Sequence, residues 1–85
     1  MKIIPGNKVD DSNLFQLKSF HDNNRSKSLS ETRKYYAFLR KKGFKDSDIV
    51  VSERLRPNSG LFEVAVKKNS RTMKILRDAQ VGEIY

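Results

Sequence analysis

Ile49-Val50-Val51-Ser52-Glu53-Arg54-Leu55-Arg56-Pro57-Asn58-Ser59-Gly60-Leu61-Phe62-Glu63-Val64-Ala65-Val66-Lys67-Lys68 is the stretch that decides the fold. The runs Ile49 to Arg56 and Leu61 to Lys68 flank Pro57-Asn58-Ser59-Gly60, whose composition suits a four-residue turn, so the stretch predicts a β-hairpin. Setting Arg56 opposite Leu61 pairs Leu55 with Phe62, Glu53 with Val64, Val51 with Val66 and Ile49 with Lys68. One face is then apolar except for Glu53 and Lys68. The other pairs Ser52 with Ala65 and Arg54 with Glu63, an opposite-charge cross-strand pair that contributes about 0.2–1 kcal/mol. A slip by one residue would turn Phe62, Val64 and Val66 toward water, so the facing of the two strands is well specified. Glu53 is expected to reach solvent near the edge of the sheet or to meet a basic group.

Immediately upstream, Ser28-Leu29-Ser30-Glu31 has the spacing of a reciprocal capping box, and Gly43 suits the left-handed end of a helix. Lys41 and Lys42 in the last turn complement the helix dipole. Between these limits Thr32, Tyr35, Tyr36 and Leu39 recur at i, i+3, i+4, i+7 with Phe38 beside them, a stripe for the core in which one of the two tyrosines is expected to be buried. Arg33, Lys34, Arg40 and Lys41 project the other way, with the small Ala37 between them. Asp22-Asn23-Asn24-Arg25-Ser26-Lys27 has no apolar residue and reads as an exposed loop, from which Arg25 and Lys27 would grip a phosphate backbone.

Outward from this unit, Lys2-Ile3-Ile4 reads as a short strand ended by Pro5-Gly6-Asn7. Leu14, Leu17, Phe20 and His21 recur at three- and four-residue spacing, which predicts a first helix over 13–21 behind the caps of Asp10-Asp11-Ser12. His21 then ends the helix in solvent or on a bonding partner; no serine, cysteine or carboxylate is placed to make it a catalytic base. On the C-terminal side, Asn69-Ser70 caps a helix over 71–80, with Thr72, Ile75, Leu76 and Ala79 inward and Arg71, Lys74 and Arg77 outward. Residues 81–85 read as a closing strand or a tail. The fold class is α+β: an antiparallel hairpin, open to extension to three or four strands by the termini, with two to three helices on one face, all within one small basic domain over 1–85.

Eighty-five residues bury only a small core, so a deep active-site cleft is not expected. There is no cysteine and one histidine, which argues against a zinc site, and no cofactor motif is present: Gly6, Gly43, Gly60 and Gly82 are far apart and form no phosphate-binding loop. The start of the chain is too short for a signal peptide and no apolar run spans a bilayer, which makes a cytoplasmic location the expectation. Asp46, Asp48, Glu53 and Glu63 are the only carboxylates to consider for a metal-dependent nuclease. Glu53 and Glu63 point to opposite faces of the hairpin, and Asp46 and Asp48 read as turn residues, so no enzyme is expected.

Charge is the most informative property. The net charge is +8, and it is uneven: residues 25–45 hold eight Lys/Arg against one Glu, and residues 67–77 hold five bases and no acid. Clustering of this kind focuses a field on an anionic partner. The expectation is a non-catalytic nucleic-acid-binding protein, DNA ahead of RNA. Its phosphate contacts would come from Arg25, Lys27, Arg33, Lys34, Arg40, Lys41, Arg71, Lys74 and Arg77, with Arg54 and Arg56 at the hairpin tip reaching a groove. The alternative is a small regulator or inhibitor that sets its basic surface or hairpin edge against an acidic protein. Pairing of hairpin edges between two copies would build a dimer, though nothing in the sequence requires one.

Overall fold

The computed structural model describes residues 1–79; the expectation for residues 81–85 and the predicted helix end at Gln80 lie outside the described residues. The elements in chain order are β1 (Ile3–Pro5), β2 (Leu14–His21), α1 (Arg25–Lys41), β3 (Ile49–Glu53), β4 (Leu61–Lys67) and α2 (Ser70–Asp78). Short 3-10 turns occupy Gly6–Lys8, Asp11–Asn13 and Asp46–Asp48. The α+β class holds, with a mixed four-stranded sheet in the order β1-β3-β4-β2 and two helices. β1 runs parallel to β3, while β4 is antiparallel to both β3 and β2. The hairpin is therefore flanked within the chain by β2 along β4 and by the short β1 along Val51–Glu53 of β3.

The hairpin keeps the expected facing but not the expected register. Glu53 lies opposite Phe62, Val51 opposite Val64 and Ile49 opposite Val66, two residues displaced from the predicted pairing. The strands stop at Glu53 and Leu61, so the connection runs from Arg54 to Gly60 instead of being a tight four-residue turn. A shift of two preserves the side-chain alternation, which is why the apolar face survives the correction. Arg54 still reaches Glu63, now diagonally, with Nε 3.2 Å from Oε2.

The largest correction concerns residues 14–21, which form a strand where a helix was predicted. The cause is a bulge: Phe15 pairs with Val66 and Lys18 with Val64, leaving Leu17 as the extra residue. Its insertion turns the alternation Phe15, Leu17 and then Phe20 into steps of two and three, which imitates helical spacing. Leu17 fills the core, and Lys18 places its ammonium 5.6 Å and 5.7 Å from the ring centres of Phe20 and Tyr35.

α1 begins earlier than its predicted cap. Asn24 accepts from the Ser26 N–H, so Arg25 and Lys27 lie in the first helical turn and not in a loop. Ser28, placed as the cap by its sequence pattern, is buried inside the helix with its hydroxyl donating to the Arg25 carbonyl. The C-terminus is as expected: Gly43 takes φ 109°, its N–H bonds the Arg40 carbonyl, and the Phe44 N–H bonds the Leu39 carbonyl. Phe44 and Leu39 are both buried in the core, which joins them to Tyr35, Val51, Val64 and Val66. Of the tyrosine pair Tyr35 is the buried member, while Tyr36 donates its hydroxyl to Asp46. Asn69 caps α2 by accepting from the Thr72 N–H, and Ile75, Leu76 and Ala79 pack on the same core.

The helix-free face of the sheet is crossed by residues 6–13. Gly6 lies against Glu53 and Arg54, Asp11 pairs with Arg54, and the Asn13 carbonyl accepts from the Lys68 N–H. This strap accounts for Ser52 and Ala65 being buried on the face that neither helix covers.

Candidate nucleic-acid interface

The topology sorts the basic residues into two ends. β3 and β4 run antiparallel between a pole formed by the end of α1, the 46–48 turn and α2, and a pole formed by the 54–60 loop, the end of β1 and the start of α1. The bond from Tyr36 to Asp46, and those from Asn69 and Arg71 to Asp48, tie α1 and the start of α2 to the 46–48 turn at the first pole. Its segments 40–48 and 67–78 carry nine Lys/Arg against three Asp. The end of the first basic block and the whole of the second therefore lie here, while Arg25 and Lys27 lie at the other pole.

The expected phosphate contacts divide into engaged and unengaged groups. Arg71 is committed to Asp48, whose carboxylate it meets with Nη2 at 2.6 Å and Nε at 3.1 Å. Arg71 first, with the Lys45 N–H and Asn69 assisting against burial, holds the Asp48 carboxyl at about 2. Arg54 is committed on the strap side, with Nη2 2.6 Å from Asp11, Nε 2.8 Å from the Ser52 hydroxyl and the Glu63 carboxylate beside it. These partners make it a brace between the strap and the sheet. Arg25 grips Glu53 through Nε at 2.7 Å and Nη2 at 3.0 Å, with its guanidinium 5.3 Å from the Phe62 ring centre. This pair resolves the odd carboxylate of the hairpin: the Glu53 side chain is 9% exposed and is held below the ordinary glutamate range by Arg25, with the Gly60 N–H as a further donor.

Weaker pairs join Lys27 to the half-buried Asp22 at 3.9 Å, and the exposed Lys34 to Glu31 at 3.4 Å and Arg77 to Asp78 at 3.5 Å, where salt and water screen the charges. Arg33, Arg40, Lys41, Arg56 and Lys74 have no carboxylate partner among the described residues. On α1 the exposed residues Arg33, Lys34, Ala37, Arg40 and Lys41 follow one side of the helix, and a shallow groove lined by Ser26, Leu29, Ser30, Arg33, Lys34 and Ala37 continues that side toward its N-terminus. Seventeen residues of helix make this tract about 25 Å long.

Lys45, Lys67 and Lys68 also lie at the basic pole and were not among the expected contacts. The signal for them was the charge count of the two blocks, which included all three. His21 is exposed at the end of β2. Among the described residues no group of three or more His, Cys, Asp or Glu side chains is arranged to hold a metal ion, and no helix is long and apolar enough to cross a membrane. No protein-family model, curated protein or solved structure matches this chain.

Proposed function

We propose that this protein binds nucleic acid without catalysing a reaction on it, laying the outer side of α1 and the basic pole along a phosphate backbone. The observation that carries this reading is that the end of the first basic block, residues 40–45, and the second block lie at one end of the fold, where Arg40, Lys41, Lys45, Lys67, Lys68 and Lys74 have no carboxylate partner among the described residues. Unpaired cations along a helix release counterions from a polyanion, whereas cations already held by carboxylates contribute little. Duplex DNA is preferred to single strands because the helix-free face presents no Phe, Tyr or Trp among its described strand residues, and single-strand platforms rely on such rings.

The test is fluorescence anisotropy of labelled duplex DNA, single-stranded DNA and RNA across a salt series, with wild type compared to a variant carrying Arg33→Ala, Lys34→Ala, Arg40→Ala and Lys41→Ala. Affinity is expected to fall by about 10³–10⁵ between 50 and 200 mM salt for six to ten neutralised phosphates, with a flatter slope in the variant. Weak binding to all three nucleic acids, unchanged by the substitutions, sinks the reading.

A further inference from the structure

The pole opposite the basic one carries a feature that phosphate binding does not use. Leu55 adopts φ 70° and is 77% exposed, an apolar side chain held into water by a backbone conformation that L-residues disfavour. The loop that holds it is braced at both ends. The Arg56 N–H bonds the Arg54 carbonyl, the Ser59 N–H bonds the Arg56 carbonyl, and the Gly60 N–H donates to Glu53. Arg54 and Glu53, the residues at its base, are themselves fixed by Asp11 and Arg25. A strained apolar residue on a pre-organised loop is the arrangement that lowers the ordering cost of recognition.

Beside Leu55 lies a cleft of about 580 Å³, walled by Ile3, Pro5, Arg25, Leu55, Arg56 and Pro57. Its size suits two or three side chains, and its chemistry is mixed: apolar surface from Ile3, Pro5, Leu55 and Pro57, with positive charge at the rim. Arg56 is exposed and has no carboxylate partner among the described residues, and Arg25 spends only Nε and Nη2 on Glu53, leaving Nη1 outside that pair. Of the three arginines that line the cleft Arg54 is held by Asp11 and Glu63, so the cleft itself offers two guanidinium groups, too few for a run of phosphates. One or two carboxylates next to apolar side chains complement it better.

We infer that the cleft between β1 and the 54–60 loop is a docking site for an extended peptide segment of a partner protein, in which an apolar side chain packs against Leu55 and Ile3 and an adjacent carboxylate meets Arg56. This site is separate from the proposed nucleic-acid tract, and the two readings stand or fall independently.

The test is a titration of the ¹⁵N-labelled full chain with N-acetyl-Leu-Glu-Phe-Asp-amide and with its neutral counterpart N-acetyl-Leu-Gln-Phe-Asn-amide, followed by amide chemical shifts. The acidic peptide is expected to move the amides of residues 6–7, 25, 54–56 and 58–60 in a saturable manner, and the neutral one to bind about tenfold more weakly. Leu55→Asn, which suits the same backbone conformation, and Arg56→Ala are each expected to weaken binding of the acidic peptide at least severalfold without lowering the urea midpoint. Absence of saturable shifts, equal binding of both peptides, or shifts confined to the basic pole overturns the assignment. A short DNA duplex that moves the 54–60 amides more strongly than the acidic peptide also overturns it and assigns the loop to nucleic acid.

Discussion

Arg71 clasps Asp48 through two nitrogens, 2.6 Å and 3.1 Å from the two carboxylate oxygens, and so ties the first turn of α2 to the turn that starts β3. Asp48 also accepts from the Lys45 N–H at 3.0 Å and from Asn69 at 3.3 Å, leaving its side chain 2% exposed. Its carboxyl sits at about 2 in the folded chain against an ordinary 3.8. The unfolded state therefore binds the proton first as the pH falls, and the stability this group contributes is complete above pH 4 and lost toward pH 2. Asp48→Asn is expected to cost about 1–3 kcal/mol at pH 7 and to flatten the acid limb between pH 4 and 2, as read by urea denaturation at a series of pH values.

The two left-handed glycines are not equivalent. At Gly43 an added Cβ meets only the Ile75 side chain at 3.6 Å, so Gly43→Ala carries the conformational cost alone, about 1–2 kcal/mol. At Gly60, with φ 77°, the same atom would lie 2.8 Å from the Asp22 carbonyl oxygen, and backbone must move. Gly60→Ala is expected to be the more destabilising of the two in parallel chemical denaturation. Equal midpoints would refute the close approach of the Asp22 turn to the β3–β4 loop.

Charge removal should separate brace from surface. Arg54→Ala strips Ser52, Asp11 and Glu63 of their shared donor and is expected to cost about 1–3 kcal/mol in stability with little effect on the salt slope of DNA binding. Arg40→Ala and Lys41→Ala should do the reverse. Each phosphate contact they make lowers the slope of log K against log salt by about 0.9 when removed, with thermal melting unchanged.

Apolar truncations discriminate core from surface in the same way. Leu39 is fully buried among Tyr35, Phe44 and Val64, and Leu39→Ala is expected to cost about 2–5 kcal/mol. Leu55→Asn removes a larger exposed apolar group and relieves a disfavoured backbone, so it is expected to be neutral or to stabilise by up to about 1 kcal/mol. A loss above 1 kcal/mol on Leu55→Asn would mean that the side chain packs on the protein.

What was legible in the sequence was whatever depended on local pattern. The alternation of Val64 and Val66 with their neighbours, the stripe of Thr32, Tyr35 and Leu39, and the glycine after Lys42 each carry a signal within a few residues, and the structure keeps all three. Pairings over longer range were not legible. The Glu53–Arg25 fork spans 28 residues and Arg54–Asp11 spans 43, and both fix the residues at the base of the 54–60 loop. The bulge at Leu17 hid a strand because one inserted residue breaks the only periodicity that marks strands. The same long-range pairs explain the division of the candidate site. Charge count alone could gather Arg25, Arg54 and Arg71 with Arg40 and Lys41, but only the fold reveals that the first three already have carboxylates.

That bulge has a further effect on what the chain does in company. The segments richest in β-branched residues, Ile49-Val50-Val51 and Val64-Ala65-Val66, are the ones that would seed stacked, fibril-like assembly, and they lie in the two interior strands. The strands that flank them are poor templates. β2 has an irregular ladder and a lysine at the irregularity, and β1 is three residues long and ends at Pro5, which has no N–H to offer. A newly folded copy thus keeps Val64-Ala65-Val66 and Val51 behind borders that another strand cannot readily extend.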